Sequence, residues 1–312
     1  MSTLIAAALV GWLLVVPPGA PGTFSRAGIA RACDAPLPAF DRQADQPAPV
    51  GRPRGDRIAY RAHVDVPVTI AATAAWIIAE ADKTHLVSVA CKWCDRAADG
   101  SDALNGFDAW GRRVFKWHNT GRAISLSNIT GFGLAPAAAY GLDWVAARHD
   151  NRRSDAGVDA ILITEAMAIA SDVTEAMKFT IGRQRPFVHE LAHGALATTP
   201  QSANNNTSFP SGHATLAFSV VTAGAEVASL RGYRYASWIW RAGLPVAALT
   251  AYFRVAADRH YLTDVLAGAG VGTAFGFGVP YLTHRQATDP RIPAVRLAPT
   301  SRGEMVAAQW TW

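Results

Sequence analysis

In 312 residues, 29 Lys and Arg stand against 24 Asp and Glu, a net charge of +5, while 50% of the chain is hydrophobic and 17% charged. The charged share is below the roughly 25% usual in soluble domains, and a mean hydropathy of +0.10 sits between a soluble protein and a polytopic membrane protein. The positive charge is nearly all Arg, the lysines being Lys83, Lys92, Lys116 and Lys178, and no basic run carries interleaved aromatics. Nucleic acid is therefore excluded in favour of anionic lipid or a phosphorylated substrate.

Residues 4–16 are apolar and are followed by Pro17, Pro18 and Gly19. The run is too short to span a bilayer comfortably but suits the apolar stretch of a secretory signal, although no Lys or Arg precedes it. Residues 1–32 are accordingly read as a signal peptide or signal anchor, and 33–62 as a Pro-rich linker. Cys91-Lys92-Trp93-Cys94 has redox or half-zinc spacing, but no second such pair and no βαβ pattern accompanies it. A local disulfide in an exported chain, or two idle thiols, is expected there, with Cys33 apart.

Six apolar stretches follow, at 66–80, 123–142, 158–179, 213–230, 236–253 and 261–282. They are rich in Ala and lack strand-like alternation, which predicts helices. Residues 123–142 and 265–283 hold charge-free segments of spanning length, whereas the third stretch carries Asp159, Glu165, Asp172 and Glu175. Acidic groups at that density must face a bundle interior if the helix lies in lipid. In the last stretch Gly268, Gly272 and Gly276 recur every four residues, with Gly270 and Gly278 beside them, predicting a close helix–helix approach. Arg148, Arg152, Arg153, then Arg231, Arg234, Arg241, then Arg285, Arg291, Arg296 mark alternate connections. If the helices span, these lie on the cytoplasmic side. Residues 63–285 are read as one helical domain and 286–312 as a polar tail.

The remaining connections hold the chemistry. Lys178, Arg185 and Arg254 supply three cations, and guanidinium forks match phosphate oxygens two at a time. Ser211-Gly212 sits at a predicted helix N-terminus, where backbone N–H groups favour an anion. His260 and Asp264 are four apart, which on a helix places them on one face. A carboxylate there accepts from one imidazole nitrogen and bares the other as a nucleophile. His213 is a second imidazole, placed to protonate a leaving group. Together these groups form a site for phosphoryl transfer without a metal. His-x3-Asp as half of a metal site fails for want of a carboxylate-rich partner cluster, so no metal or other cofactor is expected. Arg183 and Arg259 flank the motifs and are read as solvated or as steering charges. Trp76, Trp93, Trp110, Trp117 and Trp144 are read as core or interface anchors.

Lys178-x6-Arg185-Pro186, Pro210-Ser211-Gly212-His213 and Arg254-x5-His260-x3-Asp264, in that order, closely resemble the signature of the type 2 phosphatidic acid phosphatase and vanadium haloperoxidase superfamily. The resemblance covers about residues 120–284 and departs at Phe253, where the family has Ser. It implies an all-α six-helix bundle, membrane-integrated in its lipid phosphatase branch. His260 would be the nucleophile, Asp264 its orienting carboxylate and His213 the general acid. Lys178, Arg185, Ser211, Gly212 and Arg254 would cradle the phosphate. The expected activity is metal-independent hydrolysis of a phosphorylated lipid or small phosphoester in the cell envelope, with the site facing the periplasm or exterior. No obligatory protein partner is expected. The rivals are a soluble periplasmic location, a haloperoxidase with vanadate in the same pocket, and a non-catalytic protein that binds anionic lipid.

Overall fold

The computed structural model describes residues 57–87, 90–99, 101–191 and 202–286, and two short strands near the C-terminus. The expected signal segment at 1–32, and most of the linker and polar tail, lie outside the described residues. The described residues are all-α apart from the ribbon of β1 (Ala294–Arg296) and β2 (Ala307–Gln309), which pair antiparallel.

α1 (Ala62–Ala81) starts where Asp65 Oδ2 accepts from Arg61 N at 2.6 Å, satisfying a free helix-end amide. Two short helices follow, α2 (Lys83–Leu86) and α3 (Gly106–Phe115), the latter N-capped by Asn105. They add to the six expected stretches, because polar connections are not legible as helices from apolar periodicity alone. α4 (Thr120–Asn128), capped by Asn119, continues through π-helical segments Ile129–Leu134 and Ala137–Gly141 into α5 (Leu142–His149). α6 (Ala156–Ile181) stops on Gly182, whose φ of 59° is left-handed and strained for other residues. α7 (Gly212–Arg231), α8 (Ala236–Ala256) and α9 (Leu262–Val279) complete the bundle, α9 running on through the π-helical Pro280–His284.

α7 is the central helix, buried along most of its length. Its Ala217, Val220 and Val221 meet Leu162, Ile163 and Ala166 of α6 in the main core. α9 lies against it through the expected glycine face. A Cβ on Gly268, Gly272 or Gly276 would come within 2.5, 2.4 and 2.4 Å of the carbonyl oxygens of Ser211, Thr215 and Ser219. Gly270 and Gly278 face open space. The backbones thus approach to a separation that any side chain would break.

The outer surface is apolar. Ile70 and Ile78 of α1 are 63% and 64% exposed, and Phe132, Trp238, Leu266 and Leu282 stand out from other helices. Apolar surface of this extent suits lipid rather than water. Among the described residues three helices, Ala62–Ala81, Gly212–Arg231 and Leu262–His284, are long and apolar enough to cross a membrane. The other charge-free stretch expected from sequence, 123–142, is instead divided by the two π-helical segments. The first two Arg-rich connections meet at one end of the bundle, where Arg152 Nη1 donates to Arg231 O (2.9 Å) and Arg234 N to Asp150 Oδ2 (2.9 Å).

Candidate active site

At the opposite end, the C-terminal turns of α1, α4, α6 and α8 and the N-terminal turn of α7 enclose a cavity of about 470 Å³. Lys178, Arg185, Gly212, His213, Arg254 and His260 line it, joined by Lys83 and Arg259. Ser211 caps α7 and Asp264 lies behind His260, so the sequence-predicted residues converge from four separate segments.

Each cation is held differently. Arg185 is anchored by its Nε on Asn204 O (2.8 Å) and its Nη2 on Asn204 Oδ1 (2.9 Å) and Thr207 Oγ1 (3.1 Å). Burial and the neighbouring Arg259 charge pull its pKa down to about 10, which still leaves it charged at neutral pH. Arg254 donates from Nη1 to Ser127 Oγ (3.3 Å), while its buried Nε has no hydrogen-bond partner. A buried guanidinium N–H left this way is a donor waiting for an anion. Lys178 rests on Glu175, three residues back on α6. A Cβ at position 212 would lie 2.7 Å from Lys178 Nζ, so Gly212 is what lets the ammonium reach the N-terminus of α7.

His260 is 3% exposed, and its Nδ1 lies 2.7 Å from Ser208 O. A carbonyl accepts only, so Nδ1 carries the proton and Nε2 is bare, 3.4 Å from Arg185 Nη1. Burial and the charges of Arg185, Arg254 and Lys178 hold the imidazole well below the usual histidine range, in its neutral form. The expected Asp264–imidazole hydrogen bond is not formed. Asp264 Oδ2 is 3.7 Å from Nδ1 and instead takes the Ser208 hydroxyl (2.5 Å) and Tyr261 N (2.8 Å). α9 starts at Leu262 with Tyr261 as its N-cap, so His260 precedes the helix and helical spacing does not apply to the pair. Asp264 is linked to the histidine indirectly, through Ser208, whose hydroxyl donates to Asp264 and whose carbonyl accepts from the ring. His213 Nε2 lies 2.9 Å from Asn128 Oδ1, with its ring edge-on to Phe132.

Arg183 overturns its reading as a solvated flank. It is fully buried and donates to Asp95 (2.8 Å), Asp108 (2.8 Å) and Asp264 (2.7 Å), with a further bond to Thr263 Oγ1 (2.8 Å). Its guanidinium lies 4.1 Å from the ring centroids of both Trp93 and Tyr261. These carboxylates raise its pKa further above the usual arginine range against the opposing effect of burial. Trp93 lies within, and Asp95 directly after, a turn closed by a Cys91–Cys94 disulfide. That loop also bonds the backbone around Arg183, Trp93 N to Gly182 O (3.3 Å) and Gln184 N to Trp93 O (2.9 Å). Arg259 does border the cavity, its guanidinium 4.7 Å over Phe187. Phe253, at the family's Ser position, packs edge-on against Trp117 at 5.7 Å and is not among the residues lining the cavity.

The family profile described as PAP2 superfamily matches residues 159–287, a span holding all eight predicted site residues. Over 121 residues the chain is 33% identical to a lipid A 1-phosphatase of Porphyromonas gingivalis. That alignment takes in 37% of this chain and 22% of the relative, so the chain spans about a fifth of that protein's length. No solved structure matches. Residues 159–287, which bring Lys178, Arg185, His213, Arg254, His260 and Asp264 together on an all-α scaffold, are thus similar to the PAP2 superfamily.

Proposed function

We propose that this protein is a phosphatase that hydrolyses a phosphomonoester or diphosphate of a lipid through a phosphohistidine on His260. The observation that carries the reading is the bare, buried Nε2 of His260 facing Arg185 in a cavity also lined by Lys178 and Arg254. In the first step Nε2 forms a bond to phosphorus as the ester P–O bond breaks, and His213 gives its proton to the departing oxygen. Water then attacks phosphorus, the P–N bond breaks, and His213 takes back a proton. The three cations and the α7 N-terminus stabilise charge on the phosphoryl oxygens throughout, with no metal in the transferring step.

A lipid substrate fits the walls, since Trp76, Ile124, Phe132 and Leu216 border the cavity beside its charged floor. The lipid A 1-phosphatase relative, which by name acts on a phosphorylated lipid, supports the same class. The Arg-rich connections at the far end support a cytoplasmic location there and a site facing the periplasm or exterior.

His260→Ala should abolish turnover yet retain phosphate or vanadate binding, because the cations remain. Rapid quench with labelled substrate should trap acid-labile phosphate on His260. Normal turnover in His260→Ala, or phosphate trapped on another residue, would refute the mechanism.

A further inference from the structure

The end of the bundle away from the cavity holds a second cluster of buried chemistry. Asp65 in the first turn of α1, Glu165 within α6 and His284 at the last turn after α9 are 4%, 5% and 3% exposed. One ligand atom from each lies within 4.8 Å of the others. His284 Nδ1 is 3.2 Å from Ala59 O, which accepts only, so that nitrogen carries a proton. In the neutral ring Nε2 is then a lone pair, 3.5 Å from Glu165 Oε2, and both atoms are buried without a hydrogen-bond partner among the described residues. Asp65 Oδ2 stands 4.0 Å from the same ring.

Two acceptor atoms that face each other in a buried site need positive charge between them. Two carboxylates and a neutral imidazole carry two negative charges. A single proton cancels one, and the Arg61 amide on Asp65 only partly offsets the other, whereas a divalent cation cancels both. We propose that Asp65, Glu165 and His284 form a structural binding site for a zinc-class divalent cation. One imidazole nitrogen with two carboxylate oxygens suits Zn²⁺ or its late first-row neighbours over Mg²⁺ and Ca²⁺, which prefer oxygen alone. Metal–ligand bonds of about 2.0–2.2 Å would require the three side chains to draw together by small rotations.

The cation would complete a clasp already present in the backbone. Ala59 N donates to His284 O (2.6 Å) and Gln286 N to Arg57 O (2.6 Å), joining the chain entering α1 to the chain leaving α9. α1 packs mainly on α6 and is exposed along most of its length. Its far end supplies Trp76 and Glu80 to the cavity wall. Pinning its start against α6 and α9 would therefore steady one wall of the pocket from a distance.

The test uses the detergent-purified full chain, stripped with EDTA, desalted and titrated with Zn²⁺. About one equivalent should remain bound after a second desalting, and the Tm should rise by about 5–10 °C. Glu165→Gln and His284→Ala should lose both effects. Because either variant can fail to fold, Co²⁺ titrated into the unaltered protein should give visible d–d absorption saturating at one equivalent and displaced by Zn²⁺. No retained metal, no Tm shift and no Co²⁺ band in the unaltered protein would overturn the proposal and leave an imidazolium–carboxylate pair. Equal metal retention in folded variants would also overturn it, by placing the ion elsewhere.

Discussion

Arg183→Leu removes a guanidinium that touches neither the cavity nor any expected substrate, yet it should be among the most damaging single changes in the chain. Four hydrogen bonds at 2.7–2.8 Å and two ring faces are lost at a site with no solvent exposure. Removing one partner of a buried ion pair costs about 3–5 kcal/mol. The loss is not three times that, because each carboxylate keeps other donors. Asp95 holds Trp93 Nε1 (2.8 Å), Asp108 holds Thr263 N (2.9 Å), and Asp264 holds Tyr261 N (2.8 Å). For a domain of this size about 3–5 kcal/mol corresponds to a fall in Tm of about 6–20 °C. Arg183→Lys keeps the charge but offers one compact donor group, which cannot bridge three carboxylates, and should fall between the two. Because Asp264 is linked to His260 through Ser208, both variants should lower kcat by about 10–100-fold, as orienting partners of reactive groups do, with little change in KM. Scanning calorimetry in detergent and steady-state kinetics read both effects. A Tm within error of the parent, or a KM that rises while kcat holds, would refute the positioning role.

The pH profile should carry the mark of His260. Its pKa lies below the ordinary 6.5, so the neutral nucleophile persists as pH falls through that value, and the acid limb of kcat/KM lies beneath it. Bound phosphate offsets the surrounding cations and raises the imidazole pKa, so the acid limb of kcat should lie at higher pH; coincident limbs near 6.5 would contradict this. His213→Ala should spare p-nitrophenyl substrates, whose leaving group needs no proton, and slow alkyl esters by about 10²–10⁴-fold; equal losses would remove His213 as the acid. EDTA at 25 °C should lower the Tm through the Asp65–Glu165–His284 site while leaving kcat intact. A kcat lost on chelation at unchanged Tm, and restored by Mg²⁺ or Zn²⁺, would place a metal in the chemistry instead.

The apolar stretches, the glycine face of α9 and the cation set were legible because each is a local pattern, of periodicity or of spacing. What escaped is non-local or carried by backbone. Arg183 has partners at positions 95, 108 and 264, and an arginine in a polar connection looks the same whether it meets water or three carboxylates. The orienting acceptor for His260 is the carbonyl of Ser208, a group every residue possesses. The misread His260–Asp264 contact turned on one boundary, the start of α9 at Leu262, and helix ends are where periodicity is weakest. The distal cluster joins positions 65, 165 and 284, too far apart for any ligand spacing to reveal.

The disulfide-closed loop at 91–94 sets a limit on what can be transplanted. The segment shared with the family, 159–287, contains every motif residue, but it leaves Arg183 without Asp95 and Asp108, Arg254 without Ser127, and His213 without Asn128. A graft or truncation confined to that segment would carry the catalytic vocabulary and lack the groups that hold it in register. The smallest inheritable unit of this site therefore reaches back past the disulfide loop to α1, whose Trp76 and Glu80 border the cavity with Lys83, and divergence in residues 90–128 can retune the shared chemistry without altering a motif position.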